Sequence, residues 1–347
     1  MPEYKVSIVI VTYGQRLQYL NQVIQKLLMQ TYSVFEIIIV DNNSSDMTKQ
    51  YLRDLTKSYK QIKIINLMEN TGSAYGFKAG LNKIFNDSEC DYIWLLDDDN
   101  MPELTALEIL ISIIDIYSIK NELIALQSLR IVFDFYNKIA NGGDVKKLLG
   151  RKNSFLVFHF LDLPSKIYYK FKKNNITDLQ NKSKLNYFPE LPYSPYGGLL
   201  LHRDILNIIG LPNEQFFLYS DDHEFTHRII SNQGKILLIP HSKIIDIDQS
   251  WHGKQKFLPV AIRCNNNKDL FRIYYANRNK IYFQKLNLVD NYLIFYFNFV
   301  FYTIHVLISG IGYFICTGEI KYLYAMKNYI LAIKDGLRGQ LGKREFI

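Results

Sequence analysis

The chain has 347 residues, 48% of them hydrophobic, with 26 Tyr, 22 Phe and a net charge of +8. That length holds one large α/β domain with an appendage, or two domains, and the positive balance points to an anionic partner: nucleic acid, an acidic membrane surface or a phosphorylated substrate. Three widely separated cysteines (Cys90, Cys264, Cys316) exclude a disulfide framework and a cysteine metal site, and fit a reducing compartment.

Met1-Pro-Glu-Tyr-Lys5 leads straight into a strand with no apolar signal segment, as expected of a protein made and kept in the cytosol. Val6–Tyr13 is a β-branched run ending at Gly14, a first buried strand and its turn. Leu17, Leu20, Val23, Ile24, Leu27 and Leu28 recur at helical spacing, so 16–30 reads as a helix. Phe35–Val40 is a second strand, and Asp41-Asn-Asn-Ser-Ser-Asp46 a polar loop. Helix 47–59, strand Ile62–Asn66, loop Asn70-Thr-Gly72, helix 74–86 and strand 90–96 follow. This alternation predicts a doubly wound, mainly parallel sheet. The crossover rule puts Thr12-Tyr13, Asp41 and Asp97–Asp99 on one edge, the expected ligand crevice. A dinucleotide fingerprint and a Walker A loop are both absent.

Tyr92-Ile-Trp-Leu-Leu-Asp97-Asp98-Asp99 joins a buried strand to three carboxylates. Buried charge is costly unless paired or metal-bound, and hard oxygen ligands suit Mg²⁺ or Mn²⁺ beside substrate phosphates. A metal–diphosphate site is favoured here. The alternative is an acidic cap on a helix opening at Pro102-Glu103. Helix 104–119 and a strand within Leu123–Phe133 come next. Residues 134–187 then hold eleven Lys or Arg against four Asp, with Phe155, Phe158, Phe160, Tyr168, Tyr169 and Phe171 interleaved. Basic and aromatic residues together suit lipid headgroups or a lipid-linked acceptor; a solvated insertion and nucleic-acid binding are the alternatives.

Gly197-Gly198 precedes a strand, and paired glycines let backbone approach a ligand closely. Arg203–Ile209 is a short helix. Asp221 and Asp222 fall where a helix begins, as caps or as a general base. His223 and His227 stand at i, i+4 with no third ligand at zinc spacing. Lys235–Ile239 is another strand, and the alternating Ile244–Asp248 leads to Trp251-His252, with His252 an open metal ligand. Tyr274 begins a helix running toward Gln284. Residues 292–316 carry no formal charge for 25 residues, but Asn298, Thr303, His305 and Ser309 dilute the stretch. A helix in or on the membrane is favoured over a span or a core helix.

Seven landmarks in sequence order (Thr12-Tyr13, Asp41–Asp46, Asn70-Thr-Gly72, Asp97–Asp99, Gly197-Gly198, Asp221-Asp222-His-Glu224 and Trp251-His252) resemble an inverting family 2 glycosyltransferase of the GT-A fold. They look most like bacterial galactofuranosyl and rhamnosyl transferases of capsule, O-antigen or cell-wall glycans. Tyr274-Tyr-Ala-Asn-Arg-Asn279 and Lys334-Asp-Gly-Leu-Arg-Gly-Gln-Leu-Gly342 add to the likeness. The resemblance covers 5–133 and 190–345. It implies a GT-A catalytic domain over 1–262, with 134–187 inserted, and a membrane-associated helical region over 263–347. It implies that Asp97, Asp99 and His252 hold Mn²⁺ or Mg²⁺ in a DXD-type site. Thr12, Tyr13, Asp41, Asn70, Gly72, Lys78, Asp98, Gly197 and Gly198 would line the nucleotide-sugar pocket, Asp41 receiving the base N–H and Asp98 facing sugar or ribose. Asp222 resembles the catalytic base, with Asp221 and Glu224 beside it. The implied partners are a UDP- or dTDP-linked sugar, a lipid-linked oligosaccharide acceptor and the inner membrane face. No nucleic acid is expected, and a homo-oligomer stays open. A nucleotide- or carbohydrate-binding protein without catalysis is the rival of another class.

Overall fold

The computed structural model describes residues 4–117, 123–164, 188–248, 258–264, 266 and 269–345. The chain divides into two compact units. The first is Met1–Gly142, Ser183–Phe217 and Asp221–Asp248; the second is Gly143–Lys182, Leu218–Ser220 and Gln249–Ile347.

In the first unit, β1 (Val6–Gly14), β2 (Glu36–Ser44), β3 (Ile62–Leu67) and β4 (Tyr92–Asp97) alternate with α1 (Leu17–Leu28), α2 (Asp46–Ser58) and α3 (Gly72–Asp87). The pairs β1–β2, β2–β3 and β1–β4 are parallel, as helical crossovers require. Past β4 the pattern changes. β7 (Leu199–His202) runs antiparallel to both β4 and β6 (Ile124–Arg130). β8 (Lys235–Asp246) is parallel to β6, and the short β5 (Asn100–Pro102) is antiparallel to β8. The sheet order is β3-β2-β1-β4-β7-β6-β8-β5, so the doubly wound half is extended by a mixed half. The expected strands Lys235–Ile239 and Ile244–Asp248 are one strand, β8, whose pairing with β6 shifts between Ser128 and Leu129, where the register steps from Ile239 to Lys243 past Pro240.

Both faces of β1 are covered, which is why it reads as an unbroken apolar run. Val6, Ile8 and Ile10 join Leu20 and Ile24 of α1, Leu52 of α2, and Leu107 and Ile111 of α4 (Ala106–Tyr117) in one core. On the other face α3 lies close because Gly76 and Gly80, one turn apart, have no side chain. A Cβ at Gly76 would stand 2.6 Å from Val11 Cγ1, and one at Gly80 would meet Val9. Helices α5 (Asp134–Ala140), α7 (Ile205–Ile209) and α8 (Asp221–Ser231) complete this unit.

The second unit contains α6 (Val145–Leu149), α9 (Leu270–Asn287), α10 (Tyr292–Thr317) and α11 (Lys321–Arg338). Phe155, Ile262, Ile273, Ile281, Phe295, Val306, Tyr322, Met326 and Tyr329 form its core. The two late sequence motifs meet here. Tyr274 Oη donates to Asp335 at 2.7 Å, buried Arg278 donates to the Gly342 carbonyl at 2.7 Å, and a Cβ at Gly336 would stand 2.6 Å from the Arg278 carbonyl. They clasp α9 to α11.

Candidate active site

Register aligns the strand ends. Thr12 pairs with Asp41, Asp41 with Asn66, and Val11 with Asp97. One edge of the sheet therefore carries Thr12, Asp41 and the acidic run together. Asn100–Pro102 is strand β5, and α4 starts only at Ala106, so the three acids do not cap the helix that follows them.

The three carboxylates differ in surroundings. Asp98 is 2% exposed. It accepts from Thr12 Oγ1 at 2.8 Å and from Arg16 Nε at 2.8 and 2.9 Å, so the middle acid is turned into the protein. Arg16 also reaches Asp99 at 3.1 Å and Asp248 at 2.7 Å. Asp97 lies 3.9 Å from Arg130, whose guanidinium is held by Asp246. Asn100 ties the group: its Oδ1 accepts the Asp97 N–H at 3.0 Å, and its Nδ2 donates to Asp246 at 3.0 Å. Burial pushes Asp97 up to about 6, with Asp246, Asp98 and Asp222 adding repulsion and Arg130 opposing. Its side chain is 39% exposed, so solvent screening tempers the repulsion. Burial also raises Asp98 to about 6 against the pull of Arg16, and raises Asp99 to about 6 with help from Asp97.

Five carboxylates (Asp97, Asp98, Asp99, Asp246, Asp248) thus face two guanidiniums, an excess of negative charge that a divalent cation would offset. Among the described residues no three His, Cys, Asp or Glu side chains could hold a metal between them. Mg²⁺ needs fewer, since it binds one or two carboxylates plus substrate phosphates and waters. Asp97 and Asp99 supply such a pair and fit that requirement. His252, the expected third ligand, and Trp251 lie outside the described residues. His227 Nδ1 is 2.8 Å from the Pro192 carbonyl and the His223 ring packs on Tyr193, so the i, i+4 pair is engaged elsewhere.

Asp41 is fully buried. Its Oδ1 accepts from the Ser44 N–H at 2.7 Å and from the Ser44 hydroxyl. Its Oδ2 has no hydrogen-bond partner among the described residues, and a buried acceptor left unpaired is costly unless a ligand satisfies it. Next to it, β2 continues through the expected loop. Asn42 there holds the 70–72 turn, donating to the Gly72 carbonyl at 2.9 Å and accepting from the Thr71 N–H at 2.8 Å. Gly72 has φ +79°, and a Cβ there would strike the Phe217 carbonyl, so only glycine fits this approach.

Ser73 follows at once, and its hydroxyl donates to both carboxyl oxygens of Asp221 at 3.2 and 3.1 Å. Asp221 is 2% exposed and is pushed well above the usual carboxylate range by burial and by Asp222. Asp222 is 22% exposed and opens α8, where the helix dipole favours a carboxylate. Its charge reaches Asp97, Tyr136 and Tyr193. Phe217, Tyr219 and Ser220, just ahead, all have positive φ (64°, 67°, 57°). Such strain concentrates at functional sites.

Other expected residues have partners within the protein. Glu224 pairs with Arg228, which also donates to the Ile209 and Leu211 carbonyls. Lys78 pairs with Glu214 on the α3 surface. Tyr13 is 37% exposed and lies under the Arg16 guanidinium. Asn70 Oδ1 accepts the Gly72 N–H at 3.0 Å. The Gly197-Gly198 approach is to protein atoms. A Cβ at Gly197 would strike Asn100 and stand 3.0 Å from Asp97, and one at Gly198 would stand 2.9 Å from Gln127.

Sequence reasoning missed Arg16, Arg130, Asn42 and Ser73. Arg16 left one signal. A cation at a helix N-terminus opposes the dipole, so an arginine beginning α1 needs acids to hold it.

Residues 7–139 match the family model described as Glycosyl transferase family 2. A putative teichuronic acid biosynthesis glycosyltransferase, TuaG, of Bacillus subtilis is 30% identical over 103 residues, 30% of this chain and 39% of that protein. An uncharacterized glycosyltransferase of Haemophilus influenzae is 34% identical over 76 residues, 22% of this chain and 23% of its own length. The matched stretches therefore span well under half of these relatives. The crystal structure of GalNAc-T7 with UDP, GalNAc and Mn²⁺ superposes with a TM-score of 0.50 at 14% identity, over 72% of this chain and 45% of that one, a likeness of fold. The architecture is GT-A-like, as the landmarks imply.

Proposed function

We propose that this chain is a glycosyltransferase that moves a sugar from a nucleotide-diphosphate donor to a glycan acceptor with inversion. The observation that carries this reading is the shared edge. Buried Asp41 with an unpaired oxygen, the Asp97–Asp99 pair, and Asp222 within reach of the Asp97 charge all belong to one unit. Asp41 Oδ2 suits the N–H of a pyrimidine base. Asp97 and Asp99 would hold a divalent cation, which would offset the charge developing on the departing diphosphate.

Asp222 is the assigned base. The acceptor oxygen bonds to the anomeric carbon as the carbon–oxygen bond to the diphosphate breaks. The diphosphate leaves with the electron pair, and Asp222 takes the hydroxyl proton. Such help is worth about 100- to 10,000-fold in rate. Asp221, buried and held by Ser73, positions the start of α8.

The TuaG likeness supports surface-polysaccharide synthesis. The acceptor in this reading is a lipid-linked glycan, met at the inner face of the cell membrane. Galactofuranose is the favoured sugar on the triple Asp and the Asp-Asp-X-Glu pattern, and rhamnose from a dTDP donor the second choice. The test is turnover of a panel of sugar nucleotides, with and without Mn²⁺, by wild type and Asp222→Asn. The variant should lose at least about 100-fold in transfer and keep its nucleotide affinity. Full turnover by the variant removes Asp222 from this role. Binding of nucleotides with no turnover of any donor would favour a non-catalytic binding protein.

A further inference from the structure

Helix α10 has two unlike faces. Phe295, Asn298, Val306 and Gly310 are buried. Asn298 Nδ2 donates to the Asn153 carbonyl at 2.8 Å, and its Oδ1 accepts the Phe160 N–H at 2.9 Å. Gly310 lies directly against Met326 of α11, where a Cβ would also stand 3.1 Å from Ile262. The opposite face carries Leu293, Phe297, Ile304, Ile308, Ile311 and Ile315 at helical spacing, each 45–85% exposed. No Asp, Glu, Lys or Arg occurs anywhere in the helix. Leu161, 58% exposed, adjoins this face beside Phe160, whose ring meets Phe297 at 5.1 Å. Along α11, Lys327, Lys334 and Arg338 form one exposed basic row.

We infer that α10 lies in the plane of an anionic bilayer, its outer face among the acyl chains and the α11 basic row at the headgroups. This goes beyond the membrane placement proposed above by naming the surface and its orientation, and it stands without the transfer chemistry. A crossing helix is ruled against by the inner face. Asn298 and Gly310 seat α10 on folded chain, so crossing would carry the hydrated surface of α11 into hydrocarbon, where each lysine or arginine costs several kcal/mol. A second copy is the weaker occupant, because protein interfaces are depleted in lysine, whereas an apolar stripe on a unit that also exposes a basic row is complementary to an anionic lipid surface.

The test is sedimentation of the full chain with vesicles of phosphatidylglycerol and phosphatidylcholine, against phosphatidylcholine alone. Binding should favour the anionic vesicles and weaken with salt. Ile304→Asp with Ile308→Asp, both solvent-facing, should bind at least ~10-fold more weakly, with circular dichroism and thermal unfolding unchanged. Lys327→Glu with Lys334→Glu should lose the anionic preference. Native Cys316 and a Tyr292→Cys label in a Cys316→Ser background, at the two helix ends, should react with an impermeant maleimide from the same side of cell membranes. Labelling from opposite sides would mean that α10 spans. A stable dimer that ignores vesicles would assign the face to a second copy. Either result overturns the inference.

Discussion

Replacing Arg16 with Met tests whether the guanidinium, rather than burial alone, makes the acidic edge tolerable. The side chain is 15% exposed and joins Asp98, Asp99 and Asp248. Its removal leaves Asp98, 2% exposed, with Thr12 as its remaining side-chain donor among the hydrogen bonds described. Breaking a buried pair from one side costs about 3–5 kcal/mol. The carboxyl has an escape, which is to take a proton. With Arg16 present burial already holds Asp98 up at about 6, and without it the group titrates higher still. Between those two values the folded variant keeps a proton that the folded wild type and the unfolded chain have released. The variant's deficit therefore grows by up to about 1.4 kcal/mol per pH unit above pH 6, until its own carboxyl ionises. The assay is urea unfolding at pH 6 and pH 8, followed by the emission of Trp94, fully buried in β4, in a Trp251→Phe background. A double-mutant cycle with Asp98→Asn should show at least about 1 kcal/mol of coupling. A loss under about 1 kcal/mol, or one independent of pH, would refute the reasoning.

Three further outcomes are expected. Mn²⁺ should raise the unfolding temperature at pH 7.5 and do so much less at pH 5.5, because Asp97 and Asp99 titrate near 6 and must be deprotonated to bind metal. Without metal the sign is opposite to that of an ordinary paired carboxylate: these raised acids cost stability above about pH 6, and the cost is relieved as pH falls toward 4. An identical metal shift at both pH values would exclude the pair. Ser73→Ala removes the hydroxyl donor to Asp221 and should lower kcat by up to about 10-fold and alter the pH–kcat profile with donor KM unchanged, as one hydrogen bond is worth about 0.5–1.5 kcal/mol; steady-state kinetics on the active donor decide it. Asp41→Ala should weaken pyrimidine nucleotide binding about 10-fold by calorimetry, and unchanged affinity would move the base away from Asp41.

The sequence by itself determined the first half of the sheet. Strands β1 and β4 and the start of β2 are apolar on both faces, and the helical stripe shows in the 3.6-residue spacing of Leu20, Val23, Ile24 and Leu27 in α1. Local pattern also located the acidic edge, since β1, β2 and β4 are parallel neighbours and must end on one side. The mixed half was beyond its reach. β7 and β5 are four and three residues long, and their antiparallel pairing is set by partners far along the chain. The division of labour among the three acids was equally hidden. Asp97, Asp98 and Asp99 are adjacent and chemically identical, and only the fold brings Thr12 and Arg16 to the middle one, Arg130 toward the first, and Arg16 Nη2 to the last. The same holds for Asp221 and Asp222, which neighbouring positions cannot tell apart until Ser73 takes one of them. Spacing shows which residue types share an edge. Which of them is buried, paired or left open depends on groups tens to hundreds of positions away, and tertiary packing alone decides that.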